Sequence, residues 1–266
     1  MWLQPRWEYM HGHPLLARLD LSAIGVAEQH GRVVGVIHPE DHPAFCYLQG
    51  HPETAALKEA LVEWALAHFG GRSERFGDVN GVWVSDPDPG LEAILAGRGF
   101  SPTAVRESMA VRTLRATLPG HPLPPGYHLA TLVEDDDPRK VNRVLWRGFD
   151  HEGPAPEADV AGRVRTQQTP HFRKDLNVVV IDEAGDFVAY AGIWLEPVNR
   201  VAYVEPVATD PDHRRRGLAS AAIVDGLRRV RAEGALVAWV ASDHPLYAAL
   251  GFRVTCSNTL WVRPRN

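Results

Sequence analysis

At residues 118–126 the chain reads Leu-Pro-Gly-His-Pro-Leu-Pro-Pro-Gly, and this stretch limits the fold more than any other. Proline has no backbone N–H to donate and holds φ near −65°, so neither a helix interior nor a central strand accommodates it well. Four prolines and two glycines in nine residues therefore mark a linker. It divides a chain of 266 residues into two parts, each long enough to bury a core of its own. The expected domains are residues 1–117 and 127–266, joined by 118–126.

The second part has the clearer pattern. Residues 127–132 read as a short strand and 138–149 as a helix. Residues 177–181 form a β-branched run, and Glu183-Ala-Gly-Asp186 is a turn signal. Strands are expected at 187–195 and 200–209. From Gly217 to Glu233, Ala219, Ile223, Leu227 and Val230 recur at helical spacing, and Gly234 is a suitable stop. A strand at 236–240, a short helix at 245–250 and a final strand at 252–262 complete the order.

The first part repeats the later portion of that order. Strands are expected at 24–28, 33–38 and 45–49. A helix at 54–69 ends at Gly70-Gly71, followed by a strand at 82–85, a short helix at 91–96 and a strand at 108–113. Trp83-Val-Ser-Asp echoes Trp239-Val-Ala-Ser-Asp, and Arg98-Gly-Phe100 echoes Leu250-Gly-Phe252. The shared order of these matches points to duplication. The hairpin of the first part begins near Ile24, so residues 1–23 leave no room for an opening strand and its helices. Either this domain is pared down, or the chain's start lies inside a longer gene.

Chemistry concentrates in Val204-Glu-Pro-Val-Ala-Thr-Asp-Pro-Asp-His-Arg-Arg-Arg-Gly-Leu-Ala219, where a strand runs into a loop that opens a helix. Arg214, Arg215 and Arg216 stand at the helix start. Free backbone N–H groups already place partial positive charge there, so three cations are unfavourable unless an anion joins them. A bound phosphate removes the conflict, and helix N-termini are ready anion sites. Gly217 lets the backbone approach such a ligand closely. The alternative is that the arginines are solvated, balanced by Asp210 and Asp212.

Arg214-Arg-Arg-Gly-Leu-Ala219 resembles the Arg/Gln-x-x-Gly-x-Gly/Ala motif of the GCN5-related N-acetyltransferase (GNAT) superfamily. The preceding strand and the later Tyr247-Ala-Ala-Leu-Gly-Phe252 extend the resemblance over nearly all of 127–262. It implies an α/β (α+β) fold of two tandem domains. Each would be a mixed, mostly antiparallel twisted sheet flanked by helices, the first incomplete or degenerate. It implies acetyl-CoA as co-substrate, its pyrophosphate held by backbone N–H groups of Arg215, Arg216, Gly217, Leu218, Ala219 and Ser220, with Arg214 in the same motif. The strand would splay from its neighbour, so that Val207 and Thr209 pair with the pantetheine arm. Pro206 fits such a break, or a plain edge strand.

The resemblance also puts Tyr247 at the position of the general acid. Acetyl transfer from a thioester to an amine passes through a tetrahedral oxyanion, and the departing thiolate needs a proton that a nearby phenol can supply. Backbone N–H groups of the splayed strand can polarise the carbonyl. The other reading of Tyr247 is a core residue on its helix. Glu205 is the candidate base, through water, with apolar neighbours that raise a carboxylate's pKa. Its alternative is a solvent-facing carboxylate. Where related domains often carry an Asn, this chain has Ala241-Ser-Asp-His-Pro245; Ser242 is the candidate replacement contact, and Asp243 has to face away from a phosphate.

The implied activity is N-acetylation of a primary amine, small molecule or peptide, by direct attack in a ternary complex. The alternative is a non-catalytic acyl-CoA-binding sensor. A nucleotide-phosphate enzyme is disfavoured, because the loop has no lysine and no Gly-x-x-x-x-Gly-Lys-Ser/Thr pattern. On the acceptor side, Trp146, Asp150 and Glu152 are the candidates, with ordinary helix-end packing as the alternative. In the first part the matching loop Gln49-Gly-His-Pro-Glu53 has no arginine, Pro52 lacks a donor, Glu53 repels phosphate, and Leu95 replaces the tyrosine. That domain is expected to be structural or to shape the acceptor cleft.

Composition sets the remaining bounds. A net charge of −5 offers no global attraction to nucleic acid or an acidic membrane. No signal sequence or membrane-length apolar run is visible. The two cysteines, Cys46 and Cys256, suit a reducing cytoplasm. The 13 histidines, His11-Gly-His13, His151 and His171 among them, form no metal pattern. The oligomeric state, including a homodimer, stays open.

Overall fold

The computed structural model describes residues 3–13, 19–40, 42–51, 56–118 and 120–265, without the side chain of His11. Pro52 and Glu53, and the first residues of the helix expected at 54–69, lie outside the described residues. The chain forms two compact units, Leu15–Met109 with Val254–Asn266, and Leu3–Pro14 with Ala110–Arg253. Their boundaries differ from a division at the proline-rich linker in three places. The N-terminal helix α1 (Gln4–Gly12) belongs to the second unit, and the last strand belongs to the first. Leu118, at the linker's start, is buried in the core of the second unit.

The first unit is built on the hairpin β1 (Gly25–Gln29) and β2 (Arg32–Pro39), continued antiparallel by β3 (Phe45–Gly50). Helix α2 (Leu57–His68) buries Leu61, Val62 and Ala65. The short β4 (Gly71–Ser73) then leads to β5 (Gly77–Ser85), which runs parallel to β3. Helix α3 (Pro89–Gly97) is capped by Asp88, whose side chain accepts the Leu91 N–H. Strand β6 (Ser101–Thr113) follows, its residues up to Met109 in this unit.

The second unit carries β7 (Tyr127–Thr131), α4 (Pro138–Gly148) and α5 (Glu157–Gln167). The meander β8 (Asn177–Asp182), β9 (Phe187–Glu196) and β10 (Val201–Thr209) comes next. Helix α6 (Leu218–Ala232) crosses to β11 (Val237–Val240), parallel to β10, and α7 (Pro245–Ala249) ends the unit. Among the described strands of this unit only β10 and β11 pair in parallel; β7, β8, β9 and β10 pair antiparallel in turn, and β11 pairs antiparallel with the end of β6. Strands β8 and β9 are buried almost throughout because helices cover both faces, so their sequences read as continuous apolar runs rather than alternating ones. One core gathers α6 against β8–β10; another gathers α4 with Phe187, Tyr190 and Ala208.

The final strand β12 (Arg253–Pro264) pairs antiparallel with β5, Leu260 opposite Trp83. Internal duplication is visible in the topology. In each unit an antiparallel meander is followed by a helix and a parallel strand, and the parallel register sets a tyrosine beside a tryptophan, Tyr47 with Trp83 and Tyr203 with Trp239.

Candidate active site

Strands β10 and β11 keep their parallel pairing only from Val201 to Tyr203, opposite Val237 to Trp239, although β10 continues to Thr209. Strand β11 itself ends one residue later, at Val240, and β10 is irregular on its other edge. Its register against β9 slips by one residue between Val204 and Val207, leaving a bulge at Glu205-Pro206. Gly192 faces the bulge, where a Cβ would stand 2.6 Å from the Glu205 carbonyl oxygen. Trp194 Nε1 donates to that same oxygen at 2.8 Å from a fully buried ring. The bulge thus falls just beyond the residues of β10 that pair with β11.

Below the bulge β10 is paired with β9 through Thr209, and Asp210 N–H donates to Val188 O at 2.9 Å. By the alternation of an antiparallel ladder, the backbone groups of Val207 and Thr209 point to the opposite, open edge. Arg214 Nε occupies the Thr209 carbonyl at 3.2 Å, so that group is engaged within the protein.

The loop after β10 is fixed by a buried carboxylate. Asp210 accepts from Arg147 Nε at 2.6 Å and from Arg147 Nη2 at 2.9 Å, and it caps the turn through Asp212 N–H at 3.1 Å. Burial pushes the Asp210 pKa up, but the Arg147 and Asp212 hydrogen bonds outweigh it and hold the carboxyl below its ordinary value. Arg147 also reaches Asp212 at 2.6 Å. Helix α4 packs its end hard against the strand: a Cβ on Gly148 would lie 2.6 Å from Ala208 Cβ.

The following turn alternates in hand. Arg215 has φ 63° and Gly217 φ 78°, with Arg216 between them. For a non-glycine residue the left-handed region costs energy, so Arg215 marks a backbone held in shape by its surroundings. Such turns converge successive N–H groups into an anion-binding concavity. Gly217 is the N-cap of α6 and has no side chain to satisfy the first N–H groups of that helix.

These parts enclose a cavity of about 790 Å³. Val207, Thr209, Arg214, Arg215, Gly217, Leu218, Ala219, Ser220, Ser242, Tyr247 and Asp150 all line it. Arg216 and Glu205 do not. The Arg216 guanidinium turns to the Tyr127 hydroxyl and the Asp212 carbonyl, leaving its backbone to the turn. Arg214 bridges Gly148 O and Asp150, each at 2.9 Å, so Asp150 balances the arginine and holds its place at the rim. Trp146 donates to Gly153 O at 3.1 Å and stacks on His151; neither it nor the exposed Glu152 lines the cavity.

Tyr247 lies half-buried on the cavity wall, its ring edge-on to Phe252 at 5.8 Å. Burial pushes its pKa up, and the negative charge of Glu205 pushes it further in the same direction. The phenol is thus kept protonated, and the acid and base candidates share one electrostatic neighbourhood. Ser242 Oγ accepts the His244 N–H at 3.1 Å, and His244 Nδ1 caps α7 by accepting from Leu246 N–H at 3.2 Å. Asp243 is not on the wall.

Sequence reasoning missed Gly148, Phe149, His213, His244 and Leu246, which also line the cavity. The glycine ending α4 and the His-Pro pair before α7 are the local signals that mark two of these walls. Among the described residues no cluster of three or more His, Cys, Asp or Glu could hold a metal ion, and no helix is long and apolar enough to cross a membrane.

Comparison with known proteins agrees with this architecture. Residues 140–252 match the model of the acetyltransferase (GNAT) family. A mycothiol acetyltransferase of Clavibacter michiganensis subsp. michiganensis is 28% identical over 244 residues, covering 82% of this chain and 76% of that protein. Two solved structures share the fold. A GCN5-related N-acetyltransferase from Sphaerobacter thermophilus aligns with TM-score 0.64 at 15% identity, over 93% of this chain and 82% of that one. A tandem GNAT protein from the clavulanic acid biosynthesis pathway aligns with TM-score 0.63 at 18% identity, over 97% and 89%.

Proposed function

The chain belongs to the GCN5-related N-acetyltransferase superfamily, and from that premise we propose that its second unit transfers the acetyl group of acetyl-CoA directly to a primary amine on a small molecule or peptide. The observation that carries this reading is the convergence on one cavity of the end of β10 beyond its pairing with β11, the left-handed turn at Arg215 and Gly217, and the Tyr247 phenol.

Each part has a task. The N–H groups of the turn and the first turn of α6 take the pyrophosphate, where the helix dipole favours negative charge. The open edge at Val207 offers backbone groups to the pantetheine arm in place of a neighbouring strand, and an N–H there is placed to polarise the thioester carbonyl. Glu205, beside the bulge, accepts the amine's proton through water. Tyr247, held protonated by burial and by Glu205, gives a proton to the departing thiolate.

Among the described residues the first unit has no counterpart of that tyrosine. At the position matching Tyr247 it has Leu95, fully buried in that unit's core. We assign it a structural role.

The test is release of free CoA thiol from acetyl-CoA by the purified chain, with a panel of primary amines that includes mycothiol-related ones. Acceleration by at least one amine, with stoichiometric N-acetyl product, supports the enzyme. Tight acetyl-CoA binding with no turnover across the panel would favour an acyl-CoA sensor instead.

A further inference from the structure

Of the three arginines that precede α6, Arg214 and Arg215 line the cavity and Arg216 does not. The Arg216 guanidinium donates to the Tyr127 hydroxyl and, at 3.3 Å, to the Asp212 carbonyl, and it lies 5.9 Å from the centroid of the Tyr127 ring. Tyr127 opens β7, 89 residues away in sequence. Its half-buried ring packs against the core that α6 shares with β8–β10. The same hydroxyl is 2.9 Å from His213 Nδ1, and the two rings meet edge-on at 5.8 Å.

Donor counting orders these contacts. A guanidinium can only donate, so the Tyr127 oxygen accepts from Arg216. The single phenol proton is then left for His213 Nδ1, which takes the acceptor role and carries its own proton on Nε2. That Nε2 faces Asp182 Oδ2 at 3.9 Å. Asp182 is the cross-strand partner of Tyr127, and its carboxylate is held by its own turn, accepting the Ala184 and Asp186 N–H groups at 3.0 Å each. His213 therefore orients the Tyr127 hydroxyl, and the hydroxyl holds Arg216.

Resting on the acetyl-transfer reading, we propose that Tyr127 is a positioning residue for the pyrophosphate, acting through the Arg216 side chain on the backbone of the turn. Arg216 stands between two residues of positive φ, Arg215 at 63° and Gly217 at 78°. The left-handed arginine costs energy, so the turn keeps converging its N–H groups only while something outside it ties it down. Arg147 ties the start of the loop through Asp210. Tyr127 ties its end. The Arg216 guanidinium belongs to this frame rather than to the ligand, and what Arg216 offers the pyrophosphate is its N–H.

The test is calorimetric titration of CoA into the wild-type chain, Tyr127→Phe, Arg216→Met and the double variant. Arg216→Met removes the guanidinium and keeps the backbone N–H. Chemical denaturation and the Gly217 amide resonance of the ligand-free proteins are followed alongside. The expected result is CoA binding about tenfold weaker in Tyr127→Phe, the size of one charge-assisted hydrogen bond. In the Arg216→Met background Tyr127→Phe should cost nothing further, and both single variants should move the Gly217 amide. Unchanged or tighter CoA binding by Tyr127→Phe overturns the proposal, as does survival of its full effect in the Arg216→Met background. A merely structural hydroxyl would lower the denaturation midpoint and leave CoA affinity and the Gly217 amide in place, which also overturns it. If CoA does not bind the wild type at all, the acetyl-transfer reading has failed and this proposal with it.

Discussion

Gly192 lies so close to the bulge of the neighbouring strand that a Cβ on it would stand 2.6 Å from the Glu205 carbonyl oxygen and 2.9 Å from Pro206 Cδ. The obstacles are backbone and a proline ring, which cannot swing aside. Gly192→Ala must therefore flatten the bulge or push β9 away. We expect a loss of stability of about 1–3 kcal/mol, the usual cost of forcing extra volume into a packed site, read by chemical denaturation. A fall in kcat larger than any rise in the KM for acetyl-CoA should accompany it, because the distortion is centred on the carbonyl site rather than on the pyrophosphate turn. Unchanged stability and unchanged kcat would show that the bulge is not needed.

Tyr247 is predicted to act as an acid. Replacing it by Phe keeps the ring against Phe252 and removes only the hydroxyl. We expect kcat to fall about 10²–10⁴-fold, the range for a positioned general acid, with calorimetric acetyl-CoA affinity unchanged. Its pH signature follows from the sign of the shift. Burial and then Glu205 raise the phenol's pKa above the ordinary value of 10.0, so the protonated, active form persists to higher pH. The wild-type rate should show no alkaline loss assignable to this group below pH 10.

Asp210 is predicted to hold the loop on which the cavity depends. Asp210→Asn leaves Arg147 beside a buried amide. With Arg147 partly exposed and screened, we expect a loss of about 1–3 kcal/mol at neutral pH rather than the full cost of a stranded buried charge. The native carboxyl titrates below the unfolded one, so its contribution is present above the ordinary value of 3.8 and lost as pH falls through the lower folded value. The difference in stability between wild type and variant should shrink on acidification below that point.

His13 gives a second acid-side signature. Burial, then Arg163, depresses its pKa from 6.5 to about 4. The unfolded chain takes up a proton near pH 6.5 while the folded chain does not, so stability falls as pH drops from 6.5 toward 4. His13→Gln should flatten the denaturation midpoint over that interval; an unchanged slope would remove His13 as its source.

The legible parts of the site were those set by local sequence. Three arginines and a glycine at a helix start raise the proposal of an anion site because the conflict is electrostatic and lies within a few residues. Tyr247 and the β10 strand came with the same motif. What was hidden depended on partners distant in sequence. Helix α1 is polar and has no clear apolar stripe; it becomes a helix because Tyr9 and Met10 bury against the second unit. Helix α5 buries only Gly162 and Thr166, so its sequence reads as exposed. The pattern of β12 marks a strand but carries nothing that names β5 as its partner. At 118–126 proline content shows where elements stop and not what Leu118 packs against, which is the core around α6. Trp146 and Glu152 were drawn to the acceptor by composition, while the structure turns Trp146 to Gly153 O and keeps Glu152 exposed.

The central claim is that the turn opening α6 binds the pyrophosphate of acetyl-CoA. Ala219→Asp tests it most directly, because an acidic residue in the first turn suits a helix N-terminus yet repels a phosphate there. Calorimetric titration of acetyl-CoA should give saturable one-site binding to the wild type and at least a hundredfold weaker binding to Ala219→Asp, at equal or higher thermal stability of the variant. Equal affinity in the two proteins would place the co-substrate elsewhere and contradict the account.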